Sequence, residues 1–328
     1  MKEFTITQND AGQRLDRWLA KAVPLLPASL AQKYIRLKRI KLNGKRAERD
    51  TRLTAGDTLQ LYINDEFFDT PKEENAYLTV AAPKLHIVYE DENLLLVDKK
   101  PGQAVHPHDG AEYGKTLIDH IQAYLYANRE WRPREEHAFA PALCNRLDRG
   151  TEGLVLAAKS YTALRDLNAI IRDDLMKKEY LTITVGAPPA GRHIAWLQHS
   201  EKNNKVRIHA RQCDGYKQII TDVTVIRQNG PFALCRIGLI TGRTHQIRAH
   251  LAYLGHPVLG DIKYGNRKMN ERTGLKNQAL CAQRLTFGRI PEENTLHYLS
   301  GRVIKLDDPA IVKKFDALTK PDPHKTEE

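Results

Sequence analysis

The stretch NRLDRGTEGLVLAAK, residues 145–159, sets one carboxylate, Asp148, between Arg146 and Arg149 and runs through a Gly-Thr-Glu-Gly bend into the apolar run 154–158. A short, uninterrupted apolar run bounded by glycines reads as a buried strand, so Asp148 sits on a loop that feeds the core. Taken alone, an Asp beside Gly, Thr and Arg is a turn residue or a salt-bridge partner. The rest of the chain decides whether it is more.

Outward from this run, residues 87–89 and 94–98 flank an acidic turn as two further strands, and 180–185, 206–209, 222–227 and 232–240 continue the pattern. Between them, 162–175 carries Leu164, Leu167, Ile171 and Leu175 at helical spacing. Strands in runs, some joined directly and some through helices, predict an α+β fold. Its sheet is mixed and mostly antiparallel rather than doubly wound. No GxGxxG and no P-loop occurs, which takes support from a nucleotide cofactor.

At 328 residues the chain exceeds one ordinary domain, and its formal charge of +11 suits a polyanionic partner. The charge is unevenly placed. Residues 1–64 hold 13 Lys+Arg against 6 Asp+Glu, whereas 65–79 hold 1 against 5. The sign change marks a boundary, giving a basic docking domain over 1–64, an acidic linker over 65–84, a large domain over 85–320 and a tail over 321–328. No apolar run approaches the roughly 20 residues of a membrane span, and the N-terminus lacks a signal-peptide core, so the expectation is a cytoplasmic protein without a membrane partner. The four cysteines form no CxxC pair, which argues against structural zinc and a disulfide framework.

In the front domain, Asp10 reads as the cap of a helix burying Leu15, Trp18, Leu19 and Ala22, which Pro24 and Pro27 break. Ser29 reads as the cap of a second helix with Leu30, Tyr34 and Leu37 inward and Lys33, Arg36 and Arg39 on another face. A hairpin at Asn43-Gly44 and a strand over 58–63 follow, making a small α/β unit. Gly12-Gln-Arg-Leu-Asp16, the basic helix, IKLNGK (40–45) and Ala55-Gly-Asp57 resemble the αL RNA-binding module. That resemblance implies phosphate contacts from Lys33, Arg36, Lys38, Arg39, Lys41, Lys45 and Arg46.

The second informative stretch is TGRTHQIRAHLAYLGHPVLGDIKYG, residues 241–265. Thr244 reads as an N-cap, Ile247, Leu251 and Leu254 as a buried face, and Gly255 with Pro257 as the stop. Arg248 lies about a third of a turn from Ile247, at the edge of that face, and can point inward. An Arg or an Asp buried alone costs several kcal/mol, so Asp148 and Arg248 are candidate partners. Arg146 and Arg149 are nearer in sequence, and spacing alone leaves all three open. His245 and His250 stand about 140° apart around the helix, which spoils a shared metal face, so no metal is expected. His245 reads as a helix-start residue bracing the site or, with Arg243, touching phosphate.

Four blocks in order, VDKKPGQAVHP (97–107), NRLDRGTEGLVLAAK (145–159), KKEYLTITVG (177–186) and 241–265, resemble the pseudouridine synthases of the RluA type. The resemblance implies isomerisation of uridine in RNA, ribosomal RNA first and transfer RNA second, by a monomer without cofactor. It implies that Asp148 is the essential carboxylate, that Tyr180 packs on the target base, that Arg248 pairs with Asp148 and that Leu280 walls the pocket. It further implies that Arg146 fills the gap left in the RNA when the target uridine leaves its stack. Asn145, Glu152, Lys100 and Cys281 depart from the family pattern. Asn145, Glu152 and Cys281 speak for a rival reading, an RNA-binding or ribosome-assembly factor without turnover.

Overall fold

A computed structural model describes residues 1–7, 11–69, 73–133, 139–200 and 205–318. The chain divides into two compact units, Met1–Leu85 with Ala104–Ala138, and His86–Gln103 with Phe139–Glu328.

The first unit contains β1 (Lys2–Thr5), α1 (Leu15–Ala22), α2 (Ala28–Arg36), β2 (Ile40–Leu42), β3 (Lys45–Arg46) and β4 (Thr58–Leu61), with sheet order β1-β4-β2-β3. Helix α1 buries Leu15, Trp18 and Leu19 as its spacing predicts; Arg14 is its N-cap, and Asp10 lies outside the described residues. Helix α2 starts before Ser29, with Pro27 as N-cap, so Ser29 is not the cap. Its buried residues are Ala31 and Ile35, while Leu37 is the C-cap and is exposed. Lys38, at φ 59°, turns the chain there and carries Leu37 off the inward face. Asn43 (φ 52°) and Gly44 (φ 76°) form the left-handed pair of a type I′ turn between β2 and β3, whose twist matches the flanking strands.

The acidic segment read as a linker is packed into this unit. It forms short 3-10 turns over Asp65–Phe68 and Glu73–Thr79, with Phe67, Ala76, Tyr77 and Leu78 buried. Residues 104–138, assigned from sequence to the catalytic domain, also join it through α3 (Leu117–Ala127). The Tyr77 ring packs edge-on against Tyr126 at 5.2 Å and Trp131 at 4.8 Å. Such packing between residues far apart in sequence leaves no mark in a charge profile.

The second unit is built on β5 (Ile87–Glu90), β6 (Leu94–Lys99), β7 (Ala142–Leu143), β8 (Glu152–Ala158), α4 (Tyr161–Arg172), β9 (Met176–Val185), β10 (Gly191–Ser200), β11 (Lys205–His209), β12 (Lys217–Asn229), β13 (Phe232–Leu239), α5 (Gln246–Tyr253), α6 (Arg267–Thr273), β14 (Leu280–Phe287), β15 (Val303–Lys305) and α7 (Ala310–Leu318). The main path is β11-β10-β12-β13-β9-β14-β8-β6-β5, with β15 on β14 and β7 on β8. Among the described residues only β14 and β8 pair in parallel, so the sheet is mixed and mostly antiparallel, as its strand pattern predicts.

All seven residues of β8 are buried, which is why residues 154–158 form a continuous apolar run rather than an alternating one. Leu154 and Leu156 pack with Ala163, Leu167 and Ile170 of α4; truncating one such leucine to Ala costs about 2–5 kcal/mol. Helix α7 covers Leu181, Ile183 and Cys281 through Ile311 and Phe315. By alternation, Tyr180, Thr182, Leu280 and Ala282 face the opposite side, where α5 lies against Thr221 of β12.

Candidate active site

Asp148 stands on the loop between β7 and β8, its side chain about 29% exposed. The loop is fixed at several points. Thr151 N–H donates to Asp148 O at 3.0 Å, and Gln278 Nε2 donates to the Thr151 hydroxyl at 3.1 Å. Asn145 bonds β8 as a strand neighbour would: its Nδ2 donates to Leu154 O at 3.2 Å and its Oδ1 accepts Leu156 N–H at 2.8 Å. Gly153, at φ 113°, brings β8 so near β14 that a β-carbon would lie 2.3 Å from the Ala282 carbonyl oxygen.

Arg248, in the first turn of α5, is buried and aimed at this loop. Its Nη1 donates to Asp148 Oδ2 at 2.6 Å, which selects Arg248 over Arg146 and Arg149 as the partner of Asp148. Arg146 and Arg149 are both exposed. The other edge of the Arg248 guanidinium is gripped by Asp261, Nε to Oδ2 at 2.6 Å and Nη2 to Oδ1 at 2.9 Å, a two-bond fork. Asp261 Oδ1 also accepts the backbone N–H of Lys263 and Tyr264. Burial would raise the Asp261 pKa, but Arg248 and those amides hold it below the usual carboxylate range. Burial would likewise lower the Arg248 pKa, and Asp261 with Asp148 outweighs it, so the guanidinium stays charged.

Tyr180, on β9, is buried, and burial followed by the charge of Asp148 pushes its phenol pKa up, so the hydroxyl keeps its proton. Leu280 opens β14 on the same sheet face. Lys99 ends β6 fully buried; its Nζ donates to the carbonyls of Lys100 (3.0 Å), Gln103 (2.9 Å) and Arg149 (3.0 Å), tying the 99–103 turn to the residue after Asp148. Burial lowers the Lys99 pKa to about 8, against the opposing pull of Asp148.

Sequence reasoning misses Asp261, Lys99 and Tyr264. One signal exists for the first, since an inward guanidinium has five N–H donors and a single carboxylate leaves some unmet. His245, read from sequence as a helix-start residue bracing the site or touching phosphate, and Arg243, read as touching phosphate, part company in the structure. Arg243 is exposed, whereas the His245 side chain is about 8% exposed and is turned into the site, its Nε2 3.9 Å from Asp148 Oδ1. Thr244 is exposed and is not the cap of α5; His245 is, at φ 54°.

Of the departures from the family pattern, Asn145 braces the Asp148 loop, and the other three make their contacts away from Asp148. Lys100 bonds Asp98 at 2.5 Å, Cys281 is buried among the residues under α7, and Glu152 Oε2 accepts from Lys314 at 2.8 Å while its buried Oε1 has no partner among the described residues. In the first unit Lys33, Arg36, Lys38, Arg39, Lys45 and Arg46 are exposed, and Lys41 is half-buried. Arg39 lies over the Tyr34 ring at 5.4 Å and Lys41 over Tyr62 at 5.2 Å, while Arg46 pairs with Glu48 at 3.1 Å. Among the described residues no helix is long and apolar enough to cross a membrane.

Two family models match the chain: RNA pseudouridylate synthase over residues 93–253 and the S4 domain over residues 13–59. The ribosomal large subunit pseudouridine synthase C of Vibrio cholerae is 30% identical over 323 residues, covering 96% of this chain and 95% of that protein. The protein of the same name in Escherichia coli K12 is 30% identical over 321 residues, 94% and 93% of the two chains. Among solved structures, human RNA pseudouridylate synthase domain containing 1 superposes with a TM-score of 0.51 at 23% identity, over 73% of this chain and 98% of that one, a likeness of fold. Identity sustained over nearly the whole of both chains places this protein in the RNA pseudouridine synthase family, RluA type, as an isomerase with an N-terminal S4 domain.

Proposed function

We propose that this chain converts specific uridines of large-subunit ribosomal RNA to pseudouridine and that Asp148 is the carboxylate on which the reaction depends. The observation that carries the assignment is the Asp148–Arg248–Asp261 chain. It holds a partly exposed carboxylate by one oxygen on a buried, doubly anchored guanidinium and leaves the other oxygen toward substrate. The names of the bacterial relatives support ribosomal RNA as the substrate class.

The reaction breaks the bond between ribose and uracil nitrogen 1, turns the uracil, and rejoins it through carbon 5. It involves no redox change and no net hydrolysis, so its balance calls for neither a redox cofactor nor a metal. Asp148 Oδ1 serves as nucleophile or as the charge that stabilises a cationic ribose, while Arg248 holds the other oxygen, Oδ2, and so fixes the direction in which Oδ1 points. Tyr180 offers a flat ring to the flipped base and a protonated phenol at its edge. Leu280 limits the pocket on that face, and exposed Arg146 reaches the RNA at the gap the base leaves. Exposed Arg243 and the basic residues of the first unit, Lys33 to Arg46, hold phosphates outside the site. The reading places the protein in the cytoplasm. One chain supplies every site residue, so a monomer suffices.

Purified protein and a ribosomal RNA transcript provide the test. Asp148→Asn is expected to bind the transcript as wild type does and to form no pseudouridine; turnover near the wild-type rate would refute the assignment.

A further inference from the structure

His245 occupies the left-handed region at the start of α5, a conformation uncommon for residues with a β-carbon but adopted more readily by Asn, Asp and His than by others. The conformation directs its ring inward, between Tyr264 and Asp148. Nδ1 is 2.9 Å from the Tyr264 hydroxyl, and that hydroxyl already accepts the Val206 N–H at 2.9 Å. A phenol has one proton to give, and with Val206 donating to its oxygen the proton is directed to Nδ1. The neutral ring therefore carries its own hydrogen on Nε2. Burial lowers the His245 pKa, outweighing Asp148, while Arg248 and Lys263 act with burial and Asp261 acts against it, so the ring is neutral at physiological pH.

Nε2–H looks toward Asp148 Oδ1 at 3.9 Å, the oxygen Arg248 leaves unused. That separation is too long for a direct hydrogen bond, and one oxygen atom about 2.8 Å from each group would bridge them. The bridging atom must accept from Nε2–H and donate to Oδ1. Within a uridine nucleotide, the uracil and phosphate oxygens only accept and the uracil N3–H only donates. A ribose hydroxyl does both, and the 2′-hydroxyl adjoins the carbon whose bond to the base is broken.

We infer that His245 Nε2–H and Asp148 Oδ1 together hold the 2′-hydroxyl of the target uridine, making His245 the residue that selects ribose at the reacting nucleotide. The inference rests on the function proposed above, because it takes the ligand of Asp148 to be that nucleotide. Tyr264 is then a positioning residue, since it fixes which ring nitrogen bears the proton.

A chemical double-mutant cycle tests it. An RNA fragment carrying the mapped target as uridine or as 2′-deoxyuridine is assayed for kcat/KM and Kd with wild type and His245→Ala. Any intrinsic effect of deoxyribose on the chemistry is common to both proteins and cancels in the ratio. Removing the ring or the hydroxyl alone is expected to lower affinity about tenfold, with little further loss when both are removed. His245→Gln, which keeps an amide N–H donor, should recover part of the ribose preference. Tyr264→Phe should weaken the preference while the histidine remains. Equal losses on the two RNAs in His245→Ala would overturn the inference and leave His245 as a support for Asp148. Failure of wild type to modify the all-ribose RNA would overturn the proposed function itself, so the two failures are distinguishable.

Discussion

Asp261→Asn is nearly isosteric and removes only charge and one acceptor, so it isolates what the second carboxylate does for Arg248. In the wild type two charge-assisted bonds of 2.6 and 2.9 Å join the pair, and the Asp261 side chain is fully buried. Removing one partner of a buried ion pair costs about 3–5 kcal/mol, because the remaining charge is left under-compensated. Asp148 still pairs with Arg248, which places the expected loss near the lower figure. In a domain of this size each kcal/mol lowers the melting temperature by roughly 2–4 °C, so a drop of at least about 6 °C is expected. The folded pKa of Asp261 lies below its unfolded value, so its contribution is present above about pH 4 and is lost as pH falls through the folded pKa. The gap between wild type and Asp261→Asn in denaturant unfolding should therefore close in acid. Activity is expected to fall in kcat more than in KM, since the guanidinium that aims Asp148 loses its rear anchor. A variant with stability within about 1 kcal/mol of wild type and unchanged kcat would refute this reasoning.

Lys99 gives a pH prediction: its ammonium has three hydrogens for three carbonyls, and deprotonation above about 8 leaves one carbonyl unserved, so kcat should decline through that pH. Its folded pKa is below the unfolded value of about 10.4, so between the two this group alone makes stability rise with pH; a flat rate profile from about pH 7 to 9 would exclude the role. Gly153→Ala forces a β-carbon against the Ala282 backbone at φ 113°, and a loss of at least about 2 kcal/mol is expected in equilibrium unfolding, with no loss if β8 and β14 do not approach so closely. Reversing Arg36 and Arg39 to Glu should weaken RNA binding across sequences and flatten its salt dependence by about 0.7 for each phosphate no longer neutralised, without altering the melting temperature; unchanged affinity at low salt would remove the first unit from RNA docking.

The parts legible in the sequence are those that local chemistry decides. The apolar run before Lys159 had to be a buried strand, and Asn43-Gly44 had to turn a hairpin. An arginine at the edge of an apolar helix face needed an anion, and Asp148 is one of the pairings that this requirement leaves open. Asp261 is not legible because DIKYG reads as a surface turn until Arg248 is seen to reach it. Lys99 is hidden for a related reason: lysine is rarely buried, and the carbonyls that hold it come from two separate turns. Strand β10 escapes because its apolar run, residues 194–197, is only four long and flanked by charged and polar residues, and α3 because its apolar residues show little one-sided periodicity. The inward turn of His245 follows from a positive φ, which no residue pattern there announces.

The central claim, that Asp148 converts uridine to pseudouridine in RNA, meets its most direct test in pseudouridine mapping of total RNA. Cells with the gene, without it, and with the deletion complemented by wild type or by Asp148→Asn are compared. Defined ribosomal uridines are expected to lose the modification on deletion and to regain it with wild type alone. Restoration by Asp148→Asn would contradict the role of the carboxylate, and a map identical in all strains, with no modification of ribosomal RNA by the purified protein, would contradict the activity.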